Sequence, residues 1–141
     1  MDGAPPPAGV PPMPQGVPTQ QELDTFRHQV GEFKRSADSG GFGVNDEGGR
    51  IMQRACDDII NENLALVRET QQLTDKPRLG GTYGAKASAD AAQQAGIELQ
   101  TRLGQLNEVM AAYREAIGIA MKNYTLMDEN GVMQVRKAGP H

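Results

Sequence analysis

Tryptophan is absent from this chain of 141 residues, and three tyrosines with three phenylalanines make up its aromatic content. With a mean hydropathy of -0.55, any core must be lean and built from alanine, leucine, isoleucine and methionine. That palette suits closely packed helices and argues against a sheet, which would want more β-branched and aromatic side chains. A single cysteine, Cys56, excludes an internal disulfide, leaves an intermolecular one open, and reads as a small buried hydrophobe. The two histidines, His28 and His141, stand in no metal-ligand spacing. No apolar run approaches the ~20 residues that span a bilayer, so no membrane insertion is expected. The 14 basic residues are scattered among 18 acids, for a net charge of -4, and form no patch for nucleic-acid phosphates. The glycines of "GGFG" and "LGGTYG" lack the strand-then-helix setting of a phosphate loop. Asp57 and Asp58 are adjacent and point about 100° apart on a helix, as a solvated face. No nucleophile–base set stands out. The expectation is a protein with no catalytic residues, no metal and no cofactor.

What is present is helical periodicity between loops. Residues 1–18 hold seven of the nine prolines, which deny the backbone both donors and helical φ. They read as a disordered, Pro-rich tail. "TQQE" then forms a capping box at Thr19 and Glu22. Leu23, Phe26, Val30 and Phe33 follow on one stripe, predicting an amphipathic helix over 19–38. "SADSGG" ends it, and "GGFGVNDEGGR" is a loop in which Asn45 or Asp46 caps a second helix. That helix, over about 46–75, carries Met52, Cys56, Ile59, Asn63, Leu66, Thr70 and Leu73 at alternating spacings of 4 and 3. Asn63 and Thr70 put polar groups into the stripe, a device that fixes register. A turn follows before the third helix, with Gly80, Gly81, Tyr83 and Gly84 as its key residues.

The third helix, predicted over about 86–129, carries the strongest signal. Leu99, Leu103, Leu106, Met110, Tyr113, Ile117, Ala120, Tyr124 and Met127 alternate at 4 and 3 without a break. The expected fold is therefore all-α: an antiparallel hairpin over 42–130, an extra N-terminal helix, and a flexible tail over 131–141. At 1.5 Å per residue the second helix is ~45 Å long and the third ~65 Å. Paired from a common turn, the second reaches only to about residue 115 of the third. Ile117, Ile119, Met121, Tyr124, Leu126 and Met127 then lie on an uncovered, partner-binding overhang. Covering each large apolar side chain is worth ~1.5–3 kcal/mol. The first helix, folded back, is one candidate cover and a second chain is the other.

The overhang carries "NYTLMD", in which Tyr124-x-x-x-Asp128 resembles the Tyr-x-x-x-Asp/Glu general secretion signal of type VII (ESX) substrates. Together with "FGVNDEGG", "LGGTYG" and "YREAIGIAMKNYTLMD", the pattern over about 42–130 is similar to the actinobacterial EspC-like excreted-factor family. That family is distantly related to the Trp-x-Gly helical-hairpin superfamily. "GTYG", with Tyr83, stands where the best-known branch has Trp-x-Gly. The resemblance implies a protein exported folded, usually as a helical dimer with itself or a paralogous hairpin. It also implies a signal at Tyr124 and Asp128 read by the secretion ATPase complex. The chain would then be cytoplasmic before export and secreted without a Sec signal peptide, since "MDGAPPPAGVPPMPQGVPTQ" has no basic n-region or apolar h-region. The alternative is a cytoplasmic coiled-coil adaptor or chaperone that binds a helical partner.

Overall fold

The computed structural model describes residues 10–74 and 83–138, with side chains described for 10–71, 84 and 86–128. It is all-α among these residues: α1 (Gln20–Asp38), α2 (Asp46–Thr74) and α3 (Tyr83–Ala138). Local chemistry sets the boundaries. Thr19 caps α1 through its side chain, which accepts from the Glu22 N–H, while the Glu22 carboxylate accepts from the Thr19 N–H. At the other end Gly40 takes φ +79°. Its N–H donates to the Ala37 carbonyl and that of Gly41 donates to Ser36, the paired bonds of a Schellman stop. Asn45 caps α2, accepting from the Gly48 N–H at 2.7 Å.

α3 is the spine, and both other helices pack on it. α2 runs against it in the opposite direction. Gln100 reaches the Val67 carbonyl, Asn63 pairs with Asn107, Arg114 meets Asp57 at 2.8 Å, and Gly49 lies beneath Met121. α1 runs in the same direction as α3. Gln20 lies by Gln105, Phe26 by Tyr113, Lys34 by Glu115 and Ala37 by Asn123. Residues from Leu106 to Ala120 of α3 are thus gripped from two sides, and there the buried core lies.

This register corrects the expected overhang. Asp46 sits beside Lys122 and Thr125, not near residue 115. The reason lies at the other end of the pairing. The Val67–Gln100 contact sets the end of α2 opposite the mid-nineties of α3, so the first turns of α3 run past the last described residue of α2. Every turn that α3 extends there shifts the start of α2 towards the far end. Ile117 is consequently in the core at 0% exposure, and Ile119 and Met121 are half-buried against that core. Only Tyr124, Leu126 and Met127 of the expected partner-binding six remain exposed.

Three further expectations change. α3 does not stop near residue 129: its backbone is helical to Ala138, through most of the segment expected as a flexible tail. Tyr83 and Gly84 are the first helical residues of α3 rather than part of a turn, while Gly80 and Gly81 lie outside the described residues. Residues 10–18 are not a solvated tail. Pro11 and Pro18 are buried, and Val10 and Met13 pack against the core. Proline lacks an N–H but keeps its carbonyl, and α3 supplies side-chain donors to two of them: Tyr113 to Pro11, and Arg102 to Pro18. Residues 1–9 lie outside the described residues.

Candidate functional site

The approach to Tyr124 and Asp128 is built by the loop between α1 and α2. Phe42 turns inward and meets Phe33 edge-on at 5.2 Å. Phe33 in turn meets Tyr113, and Tyr113 meets Phe26, so all three phenylalanines join one aromatic row. Gly43 then crosses α3. A Cβ there would stand 3.0 Å from both the backbone N and Cα of Tyr124, closer than ordinary packing allows. Glycine is required for this approach rather than for a turn. The next residue, Val44, donates its N–H to the Ala120 carbonyl at 3.0 Å. Asn123 completes the joint: its Nδ2 donates to the carbonyls of Ala37 at 2.7 Å and Phe42 at 3.0 Å. The end of α1, the loop and α3 are bolted together one residue before Tyr124.

Past that joint the cover ends. Tyr124 is 41% exposed, Leu126 58% and Met127 47%, and Asp128 is exposed as well. Tyr124 and Asp128 are four residues apart on a continuous helix and so are neighbours on one face. The motif lies within α3, not at its C-terminus, because the helix runs on to Ala138. Tyr124 thus has its backbone held against Gly43 and its ring partly in water. The seam spacing places it correctly in line with Ala120, but the face it continues is no longer covered.

Asn123, Gly43 and Val44 carry this geometry; all three stand inside the "NYTLMD" and "FGVNDEGG" stretches, but sequence reading assigned none of them a role of its own. The available signal was the pairing of Phe42 with a following glycine in an otherwise polar loop.

The gripped part of α3 and the stretch of α2 facing it have different chemistry. Cys56 is fully buried, and burial together with neighbouring Asp57 pushes its thiol up to about 12. It is a packed hydrophobe rather than a reactive thiol or a handle for a second chain. Burial, with a smaller effect from Cys56, also pushes the Tyr113 phenol upwards. Both groups stay neutral at physiological pH, and the Tyr113 hydroxyl acts as a donor to Pro11. Among the described residues no three His, Cys, Asp or Glu side chains gather where a metal could be held. No helix among them is long and apolar enough to cross a membrane.

These features define an all-helical protein whose spine helix projects an exposed Tyr–Asp pair beyond a three-helix body. No family model, no curated protein and no solved structure matches this chain.

Proposed function

We propose that this protein is a substrate of a type VII (ESX) secretion system, with Tyr124 and Asp128 as its export signal. One observation carries the reading: the two residues are exposed, one turn apart, on α3 just past its covered part. A signal read by a secretion ATPase complex on a folded cargo needs to be both accessible and fixed in direction. Helical continuity to Ala138 and the Gly43–Tyr124 approach supply the second requirement. The protein would be cytoplasmic until export and secreted afterwards. Tyr124, Leu126 and Met127 are the apolar contacts left for a paralogous hairpin or a second copy; Ile117 is already spent within the chain.

The test is export from the native host. Tyr124→Ala and Asp128→Ala should each remove the protein from culture supernatant while it accumulates in the cell lysate, with helicity unchanged. Lys122→Ala, on the same stretch but outside the motif, should export normally. Wild-type amounts of either motif variant in the supernatant would end the assignment.

The exposed Leu126 and Met127 also suit a cytoplasmic adaptor that binds a helical partner. On that reading the protein stays in the lysate of wild-type cells, and Leu126→Ser disrupts a complex there.

A further inference from the structure

The proline-rich segment over residues 10–18 lies along the body without any secondary-structure ladder, and the surface beneath it is specialised. Tyr113 is 0% exposed, and its hydroxyl donates to the carbonyl of buried Pro11. Eleven residues earlier on α3, Arg102 donates to the Pro18 carbonyl at 3.1 Å. Val10 and Met13 pack against the core, Pro11 is buried, and Met13 lies by Phe26. A bend at Gly16, with φ +69°, connects the segment to α1. The fit is incomplete. A cleft of about 420 Å³ remains between the segment and α1, bordered by Met13, Pro14, Phe26 and Gln29.

An aromatic floor with side-chain donors aimed at backbone carbonyls is the chemistry that recognises extended proline-rich peptides. Such a ligand presents carbonyls with no internal partners and is already stiff, so little ordering entropy is lost on docking. Without its carbonyl acceptor, the Tyr113 hydroxyl would be a buried donor with no partner, which is destabilising. The core therefore needs an acceptor at that point, and nothing in the two donors specifies that it come from the same chain.

We propose that the face of α1 and α3 around Tyr113 is a binding groove for an extended proline-rich peptide, filled in cis by residues 10–18. The ligand in trans is a proline-rich segment of a partner. Because the cis segment is tethered at Thr19 its effective concentration is high, roughly millimolar. The groove is therefore masked in the resting protein and opens when the segment lifts. This inference is independent of the export reading.

The experiment uses the full chain. Val10→Ser, Pro11→Gly and Met13→Ser together weaken the cis ligand, and a fluorescein-labelled peptide of residues 9–18 is the probe. Anisotropy should show saturable binding at least tenfold tighter than to the wild-type chain. Adding Tyr113→Phe, which keeps the ring and removes the donor, should weaken binding several-fold. A peptide with every proline replaced by alanine should bind at least tenfold more weakly. In the wild-type chain, millimolar proline peptide should displace the cis segment and shift the Tyr113 ring and Arg102 side-chain NMR signals saturably. If the triple variant loses helicity, this wild-type titration decides alone. Absence of those shifts overturns the proposal, as does a helical triple variant that fails to bind. Equal binding of the alanine peptide would reduce the groove to a non-specific apolar face. A dimer formed by exchanged segments, indifferent to added peptide, would assign the groove to a second copy instead.

Discussion

Two stretches of α3 carry the same apolar spacing and have different surroundings. From Leu103 to Ala120 the seam residues are buried, and over most of that length both α1 and α2 pack against the helix. From Tyr124 to Met127 the same alternation continues into partial exposure to water. The difference lies in what faces each stretch. Arg114 and Glu115 show the first case, one pairing with Asp57 on α2 and the other with Lys34 on α1. Asn123 marks the boundary, where α1 has ended and the connecting loop crosses. A heptad pattern says which face of a helix is apolar. It does not say where along the helix the cover runs out.

The sharpest way to test this contrast is to remove one tyrosine from each stretch. Tyr113→Ala should lower stability by about 3–5 kcal/mol, since it empties the centre of the aromatic row. Chemical denaturation monitored by helicity would measure it, and a loss below about 1 kcal/mol would mean that α1 is not firmly docked. The joint between the stretches comes next. Gly43→Ala should cost about 1–3 kcal/mol, because the new methyl meets Tyr124 backbone that cannot swing aside. A silent substitution there, in the same assay, would show that the loop stands off α3.

Cys56, on α2 beside Tyr113, reports the gripped stretch by its chemistry. Its thiol is raised from 9.0 to about 12 on folding, so above about pH 9 the unfolded chain gives up a proton that the folded chain retains. Stability is therefore intact below pH 9 and declines as pH rises towards 12. The loss from this group should reach about 1 kcal/mol by pH 10. Cys56→Ala should flatten that part of the pH–stability curve, and iodoacetamide at pH 8 should label the wild-type thiol only under unfolding conditions. The smallest effect belongs to the exposed stretch: Tyr124→Ala should change stability by no more than about 0.5–1 kcal/mol. A loss as large as that of Tyr113→Ala would erase the distinction between the two stretches.

Much of the architecture was written locally. Thr19 and Glu22 announce the start of α1, and Gly40 its stop, because capping depends on residues three or four apart. The inward faces were equally legible. Leu23, Phe26, Val30 and Phe33 are buried, as are Cys56, Asn63 and Thr70, because helical geometry converts spacing into direction without any knowledge of the partner. The Tyr124–Asp128 pair was legible on an expected overhang, and both residues are exposed, although the uncovered stretch is much shorter than the spacing suggested.

Register, cover and docking were decided only by the tertiary structure. Where α2 begins along α3 depends on how far α3 runs past the end of α2, and no local spacing encodes that length. This one quantity moved Ile117 from an expected overhang into the core and left Tyr124 outside it. The docking of residues 10–18 depends on Tyr113 and Arg102, which lie 102 and 84 positions along the chain from the carbonyls they hold. Composition determined that those residues could not form helix or ladder, because proline lacks the donor. Only the fold could bring distant donors to the carbonyls that the prolines retain.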